Sequence, residues 1–292
     1  NADVYSSGSN GTALGYNAQV NGSGATALTN SYATGADSFA AAIANNSSSY
    51  GSSGANSIAM GYLAKAAQAN GIAIGKDTLV DGGADGIALG RNARAGNNAI
   101  SIGQVGWGGG QSYAQGQASI SIGQNNLAQQ IASVVLGIHG HSNTIGKYVY
   151  SSGYLGGQGI AQTGTCILIA STTDATATSM ATTSGTVTAV KQITLPDNSA
   201  YTFSGTVVAR EKASEGTACA AWKVEGLIRR EANAGTTVLV NSATTVLDNT
   251  PNWGMALSAD TTFGCLKVEA TGEASHNIRW VANIQTSEVT YA

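Results

Sequence analysis

A short phrase recurs along the first half of the chain and constrains its fold more than any other feature. Residues Gly71 to Gly75 read GIAIG, and residues Gly86 to Gly90 read GIALG. Glycine weakens helices and strands, so its regular return indicates a backbone geometry that other residues adopt poorly. The phrase is Ala, Ser or Val, then an aliphatic residue, then a glycine, and those glycines are Gly15, Gly61, Gly75, Gly90, Gly103, Gly123 and Gly137.

The phrase returns with a period close to 14 residues. From Gly61 onward the steps are 14, 15, 13, 20 and 14 residues, and the longer step from Gly15 to Gly61 leaves room for degenerate copies at Ala27-Leu28-Thr29 and Ala42-Ile43-Ala44. A unit this short cannot hold a helix pair, and alternating pieces such as Ile72-Ala73-Ile74 predict strands. We therefore predict a parallel β-solenoid of about nine coils, with two short strands and two tight turns in each coil.

The stretch from Ser57 to Ala95 resembles the YadA-like head repeats of trimeric autotransporter adhesins. The resemblance extends over about residues 10–140. It implies a homotrimer of left-handed parallel β-rolls, in which an aliphatic side chain of each repeat helps to fill the roll and the contact between chains. A roll lined by Ala and Ile is too thin to bury much surface alone, so three chains that pool their apolar faces are physically reasonable. The aliphatic residues concerned are Ile74, Leu89, Ile102, Ile122 and Leu136.

The remainder of the chain follows other rules, because its first Glu is Glu211 and strand signals replace the repeat. We divide the chain into a β-roll region at 1–145, a Gly/Ser/Thr-rich connection at 146–185 and a C-terminal domain at 186–292. Strand signals in the last region are followed by turn signals, and Trp222 and Trp280 lie on the apolar faces of alternating segments. The predicted fold is all-β, with a jelly-roll-like antiparallel β-sandwich after the roll. The predicted strands are 187–195, 201–210, 219–230, 236–247, 263–270 and 277–289.

Residues 146–292 resemble C-terminal modules of tail-fibre and other virion proteins of tailed phages, notably in AYTFSGTVVAREKASEGTACAAWKVEGLIRR and NIRWVANIQTSEVTYA. The resemblance implies an adhesive tail-fibre component of a virion. Its partners would be a host-surface glycan such as lipopolysaccharide, or an outer-membrane receptor, and other tail or baseplate proteins. The alternative is a passenger fragment of a bacterial trimeric autotransporter adhesin, although the C-terminus shows no barrel-anchor strands or heptad stalk. A glycan depolymerase is a third interpretation.

The acidic residues argue against catalysis. Cleaving a glycan needs two carboxylates across a groove, whereas Asp77, Asp81 and Asp85 read as solvated turn residues. Glu225 and Glu269 alternate with lysines, as on an outer sheet face. We therefore predict no enzyme activity and no required cofactor.

Other function classes are also disfavoured. The glycine-rich stretches lack the Lys-Ser/Thr of a phosphate-binding loop. A net charge of −3 offers no basic surface for nucleic acid, and no apolar run is long enough for a membrane-spanning helix.

The pair His139 and His141 lies two residues apart, so both side chains could point to one side of a strand. In a parallel trimer this gives six imidazoles around the three-fold axis, an octahedral site suited to iron or a similar metal. The simpler alternative is a pair of histidines that closes the last coil. His276 has no evident partner in the sequence and is assigned no role.

Exposed aromatic residues are candidates for receptor contact. Trp107 and Tyr113 lie in the 20-residue coil, and Trp253 follows a turn signal. Cys166, Cys219 and Cys265 form no metal-binding pattern. The strand register places Cys219 and Cys265 on the charged face, where we expect free thiols, although a pair or a subunit contact is the alternative.

Overall fold

The computed structural model describes residues 2–4, 9–41, 49–104, 110–248 and 253–291. The described elements are strands except for two short 3-10 helices, η1 (Ala189–Lys191) and η2 (Ala234–Thr236), so the all-β prediction is confirmed. The chain divides into two compact units, Asn1–His141 and Ser142–Ala292.

The first unit is the predicted β-solenoid of about nine turns. Each coil gives one short strand to each of two parallel sheets, with even-numbered strands in one and odd-numbered strands in the other. The strands are β1 (Ala2–Val4), β2 (Thr12–Leu14), β3 (Ala18–Val20), β4 (Thr26–Leu28), β5 (Tyr32–Ala33), β6 (Phe39–Ala41), β7 (Gly51–Ser52), β8 (Ile58–Met60), β9 (Lys65–Ala66), β10 (Ile72–Ile74), β11 (Leu79–Gly82), β12 (Ile87–Leu89), β13 (Arg94–Gly96), β14 (Ile100–Gln104), β15 (Tyr113–Ala114), β16 (Ile120–Gln124), β17 (Leu127–Ala128), β18 (Val134–Ile138) and β19 (His141–Ser142).

Equivalent residues of successive coils pair in register. Ala73 pairs with Ala59 on one side and with Ala88 on the other. The same register places Ala40 between Ala27 and Ala59, so the third copy of the phrase begins at Ala40-Ala41. The copy predicted at Ala42-Ile43-Ala44 was therefore displaced by two residues, and 42–48 lie outside the described residues.

The interior of the roll holds only small side chains. In each three-residue strand of the even-numbered sheet, the middle residue faces inward, and Ala59, Ala73 and Ala88 are completely buried. The expectation that the aliphatic residue of the phrase fills the roll is wrong, because Ile74, Ile102 and Ile122 are each 39% exposed. Strand alternation explains the difference, since neighbours of an inward alanine must point outward.

Two constraints account for the repeated glycine. Gly75 has φ +133°, in the left-handed region that residues with a Cβ rarely adopt. A Cβ at Gly75 would also lie 2.3 Å from the carbonyl oxygen of Gly90 in the next coil. The glycines therefore serve both the turn and the close stacking of coils.

The second unit contains two antiparallel sheets. Six strands pair in the order β20-β21-β29-β24-β25-β26, and in the smaller sheet β28 pairs with β22, β23 and β27. The strands are β20 (Tyr148–Ser152), β21 (Ala161–Thr172), β22 (Thr178–Ser179), β23 (Ile193–Thr194), β24 (Ser199–Glu211), β25 (Cys219–Arg230), β26 (Val238–Asp248), β27 (Gly254–Asp260), β28 (Cys265–Thr271) and β29 (Ile278–Thr290).

One hydrophobic cluster contains residues of both sheets. Trp222 and Trp280 are 3% and 1% exposed, and their rings stack with centroids 5.5 Å apart. Leu266 and Val268 of the smaller sheet belong to the same cluster. The core assignment of both tryptophans is confirmed.

Three sequence-based details differ from the structure. The connection at 146–185 contributes β20, β21 and β22, and the strand predicted at 187–195 is mostly the 3-10 turn η1 followed by the short β23. Cys265 is fully buried and does not lie on an exposed charged face, because the register of β28 turns it inward. Cys219 is exposed, and none of the three cysteines forms a disulfide within the described residues.

Candidate assembly and receptor-binding surfaces

A double row of aliphatic side chains covers the outer face of the even-numbered sheet; we call it the aliphatic ladder. It arises because the residues before and after each inward Ala, Ser or Val point to the same outer side. Six coils at about 4.8 Å each make an apolar strip on the order of 25 Å tall, and soluble monomers rarely expose long continuous apolar strips. The ladder consists of Ile58, Ile72, Ile87, Ile100, Ile120 and Val134 in one row and Met60, Ile74, Leu89, Ile102, Ile122 and Leu136 in the other.

The outer face of the odd-numbered sheet is mixed in character. Its outward column includes Lys65, Leu79, Arg94 and Tyr113. The Arg94 guanidinium stacks on the Tyr113 ring at 4.6 Å and pairs with Asp81 at 3.0 Å. Asp81 therefore lies on strand β11 and pairs with Arg94, which corrects its interpretation as a solvated turn residue. The half-buried Tyr113 remains a candidate contact residue.

The two histidines of the predicted metal site have different surroundings. His139 lies at a turn with φ +59°, is 9% exposed, and its Nε2 lies 3.4 Å from Nδ2 of Asn125. Burial lowers the pKa of His139. His141 lies in a strand of the odd-numbered sheet, with Nε2 2.9 Å from Oε1 of Gln129.

Within one chain, the described residues contain no cluster of three or more His, Cys, Asp and Glu side chains suited to a metal. An octahedral site would draw ligands from three copies, so the site at His139 and His141 stays a prediction.

The aromatic candidates are placed differently from one another. Trp107 lies outside the described residues. Trp253 is only 5% exposed, packs 6.0 Å from Trp280, and donates its Nε1 proton to Glu273 at 3.2 Å. The Trp253 ring is therefore part of the core of the second unit, and its position does not favour stacking on a ligand.

The larger sheet carries a groove of about 530 Å³ that the sequence did not predict, lined by three basic residues and one acidic residue. We call it the basic groove and define it by Ser171, Arg210, Glu211, Lys212, Ala213, Asn277 and Arg279. Arg210 and Arg279 lie directly opposite each other on β24 and β29. Like charges in this arrangement destabilise a sheet unless an anion compensates them. Among the described residues, neither guanidinium has a carboxylate within ion-pair distance.

A second groove, of about 680 Å³, lies further along the same outer face; we call it the hydroxyl groove. Thr165, Gln285, Ser204 and Glu225 form a row across four strands. These side chains can donate or accept hydrogen bonds with sugar hydroxyls. No sequence signal could identify either groove, because each is assembled by strand pairing between distant segments.

Glu211, which also lines the basic groove, forms an ion pair that the sequence did not predict. Its Oε1 lies 2.5 Å from Nδ1 of His276, so the assignment of no partner to His276 is wrong. The hydrogen bond to Glu211 raises the pKa of His276, with Glu273 and Glu215 adding to the effect. Glu211 is 5% exposed and also accepts a hydrogen bond from the backbone N–H of Ala218. Its carboxylate therefore connects the end of β24 with Ala218 and with His276.

The described parts of the chain hold no helix that is both long and apolar enough to cross a bilayer. Two stretches, residues 6–28 and 52–78, match the YadA head domain repeat. Both lie in the solenoid, in agreement with the resemblance of its repeats. No curated protein matches the chain.

Two solved structures are similar to the chain. The crystal structure of tailspike protein gp49 from Acinetobacter baumannii bacteriophage Fri1, a capsular polysaccharide depolymerase, has 11% identity and a TM-score of 0.26, with 91% of this chain and 56% of that chain covered. The tailspike protein of Acinetobacter baumannii phage AM24 has 8% identity and a TM-score of 0.22, with 94% and 55% covered. The chain thus spans little more than half the length of these tailspikes.

This comparison contradicts the prediction that the chain is not an enzyme, because one of the two similar structures is a depolymerase. The acid count behind that prediction considered single segments, whereas a groove can combine carboxylates from distant segments. At a TM-score of 0.26 the similarity assigns no active site to this chain.

Proposed function

We propose that the chain is the adhesive part of a trimeric phage tail fibre and binds an acidic glycan on the host surface. The aliphatic ladder is the observation that carries the proposal. A roll filled with alanine and serine buries little apolar surface, while a continuous aliphatic strip lies outside it. Three copies packed ladder to ladder would supply the missing core and present three receptor sites together, which raises avidity.

In this proposal the second unit is a sandwich-like tip and the basic groove is the receptor site. The opposed guanidiniums of Arg210 and Arg279, with the nearby Lys212, fit carboxylate or phosphate groups on a sugar chain. The hydroxyl groove could hold neutral sugar units on the same sheet face.

The ladder also bears on the metal prediction. The two sheets of a roll face opposite directions, so His141, on the odd-numbered sheet, faces away from a trimer axis lined by the ladder. Under the proposal we expect that the three chains of a trimer do not share a metal ion, and metal analysis of the purified sample can measure this.

The trimer is tested by sedimentation equilibrium of an Ile102→Asp chain. A carboxylate inside the packed ladder would be desolvated without a partner, so the mass should fall from three chains to one. Leu79→Asp, on the outer face of the other sheet, is the matched control and should leave three chains together. A wild-type monomer, or equal effects of both changes, would refute the role of the ladder.

The receptor site is tested with a uronic-acid polysaccharide. An Arg210→Gln/Arg279→Gln chain should bind at least about tenfold more weakly at low salt, because two charge-assisted contacts are lost. Gln285→Ala in the hydroxyl groove is the control and should keep most of the affinity for the acidic chain. Unchanged binding by the double variant would exclude the basic groove. Reducing-end analysis of the same mixtures detects any depolymerase activity.

A passenger of a bacterial trimeric adhesin is the second candidate, favoured by the YadA head repeat match. It shares the ladder and the receptor site with the first candidate and differs in where the chain is attached. Gold-labelled antibodies should mark virion tails under the proposal and bacterial surfaces under the alternative.

A further inference from the structure

The core of the second unit contains a buried ion pair that the proposed function does not use. Nζ of Lys147 lies 2.6 Å from Oε1 of Glu288, and both side chains are at most 1% exposed. Such burial is expensive because two charges lose their hydration, and a buried pair is worth its cost only when every donor and acceptor is satisfied.

The lysine of this pair is poorly satisfied. Among the described residues, no acceptor meets its Nζ in hydrogen-bond geometry, although Glu288 Oε1 is so close. Nζ also lies 5.5 Å from the centroid of the Tyr201 ring, over the ring face. The nitrogen therefore approaches the carboxyl group at short range and outside the usual direction of an N–H donor.

By contrast, the carboxyl group of Glu288 is held by donors on both oxygens. The Thr286 hydroxyl donates to Oε1 at 2.5 Å, and Nε2 of Gln162 donates to Oε2 at 2.7 Å. Donors aimed at a carboxyl oxygen stabilise the negative charge that develops there when a nucleophile adds to the carbon.

The order of the strands brings the Lys147 ammonium and the Glu288 carboxyl group together across an intervening strand. Lys147 directly precedes β20, Glu288 lies on β29, and β21 lies between these strands. The lysine stem crosses β21 over Gly164, where a Cβ would lie 2.5 Å from Lys147 Cε and 2.5 Å from Glu288 Oε1. A glycine at this position leaves room for the lysine to reach the carboxyl group.

The side chains around the pair are buried as well. Cys166, on the strand that the lysine crosses, is 1% exposed, and burial raises the pKa of its thiol to about 12. Val149 and Ile284 are fully buried nearby on the flanking strands. A dry site favours a condensation, because the water that it releases leaves for bulk solvent.

From this geometry we infer that Lys147 and Glu288 form an intramolecular amide bond. The ammonium first gives a proton to Oε1, which leaves a neutral amine beside a neutral carboxylic acid. The amine nitrogen then bonds to Cδ of Glu288, and the Cδ–Oε1 bond breaks. Oε1 leaves as water, taking a second proton from the nitrogen, which the Thr286 hydroxyl can relay. One ammonium and one carboxylate thus give one neutral amide and one water, and no oxidant or cofactor is consumed.

The bond has a structural benefit that the ion pair lacks. It removes two charges from the core and joins the first strand region of the unit to its last strand, so that residues 148–287 lie within a covalent loop. A fibre tip under tension after attachment would then resist unfolding from its ends.

Mass spectrometry of the purified wild-type chain tests the inference. The intact mass should be lower than the sequence mass by one water molecule. Trypsin should fail to cleave after Lys147, so that peptide 95–191 is recovered linked to peptide 280–292. Recovery of free peptides 95–147 and 280–292, an undiminished mass, or a water loss located at other residues would overturn the inference.

A Lys147→Arg chain is the matched control, because it keeps the positive charge but offers no primary amine. It should show the full sequence mass. If the same loss of water persisted in this chain, the assignment to Lys147 would be wrong. The wild-type digest decides the question even if the variant folds poorly.

Discussion

The two units of this chain differ in the size of the side chains that they bury. The roll buries alanine and serine and exposes its aliphatic residues, whereas the second unit buries Trp222, Trp253 and Trp280 and carries a mixture of polar, charged and aliphatic side chains on its outer face. A buried alanine contributes far less than the roughly 1.5–3 kcal/mol of a large aliphatic side chain. The contrast teaches that the second unit carries its own core, while the roll depends on backbone pairing and, under the proposal, on the partner chains that cover its ladder.

The strongest test of this contrast is Trp280→Ala. Removing a fully buried ring that stacks on Trp222 should cost the second unit about 3–5 kcal/mol, while the roll keeps its unfolding transition. Val281→Ala is the control, since Val281 is the next residue on β29, is 40% exposed and faces the other way; it should cost within about 0.5 kcal/mol. Denaturant unfolding followed by fluorescence and circular dichroism separates the transitions. A joint shift of both would mean that the units are not energetically separate.

Replacing a glycine of the roll should give a smaller loss of stability. Gly75→Ala should cost about 2–3 kcal/mol, because it combines left-handed backbone with a clash against the next coil. Gly146→Ala, in the second unit, at φ +67° and with open space around the added methyl group, should cost that unit only about 1 kcal/mol. Thermal unfolding of both variants gives the comparison. Equal costs would mean that close stacking of the coils does not require glycine.

The smallest expected effect is the change of stability with pH, and its sign should be opposite in the two units. The pKa of His276 is raised above its ordinary value of 6.5, so its stabilisation is complete below pH 6.5 and is lost as pH rises through the raised value. The pKa of His139 is lowered by burial, so the stability of the roll falls as pH drops below 6.5.

Thermal unfolding at about pH 5 and about pH 8 measures both slopes. His276→Gln should destabilise the second unit mainly at the acidic value, and His139→Gln should flatten the acidic loss in the roll. A pH response of the same sign in both units would contradict this assignment.

How far the sequence predicted the molecule depended on whether the relevant contacts were local. The roll was predictable because each coil pairs with the next one about 14 residues away, so the repeat itself encodes the register. Even there, the copy that begins at Ala40-Ala41 escaped detection because it has neither a large aliphatic residue nor a glycine.

In the second unit, alternation identified the inward tryptophans but not their neighbours. Gln162 and Glu288 meet across 126 residues, and Arg210 faces Arg279 across another long separation. No pattern within one segment reports such pairs. The strand predicted at 187–195 failed for a local reason, since the Thr194 hydroxyl donates to the carbonyl of Ala189 and closes a turn there.

Each coil also sets the smallest step by which the length of the roll can change. Because equivalent residues of successive coils pair in register, gaining or losing one repeat changes the length of the roll by about 4.8 Å and leaves every outward column intact. The length of the roll can therefore change in small, equal steps during evolution, without redesign of its outward surfaces or of the second unit.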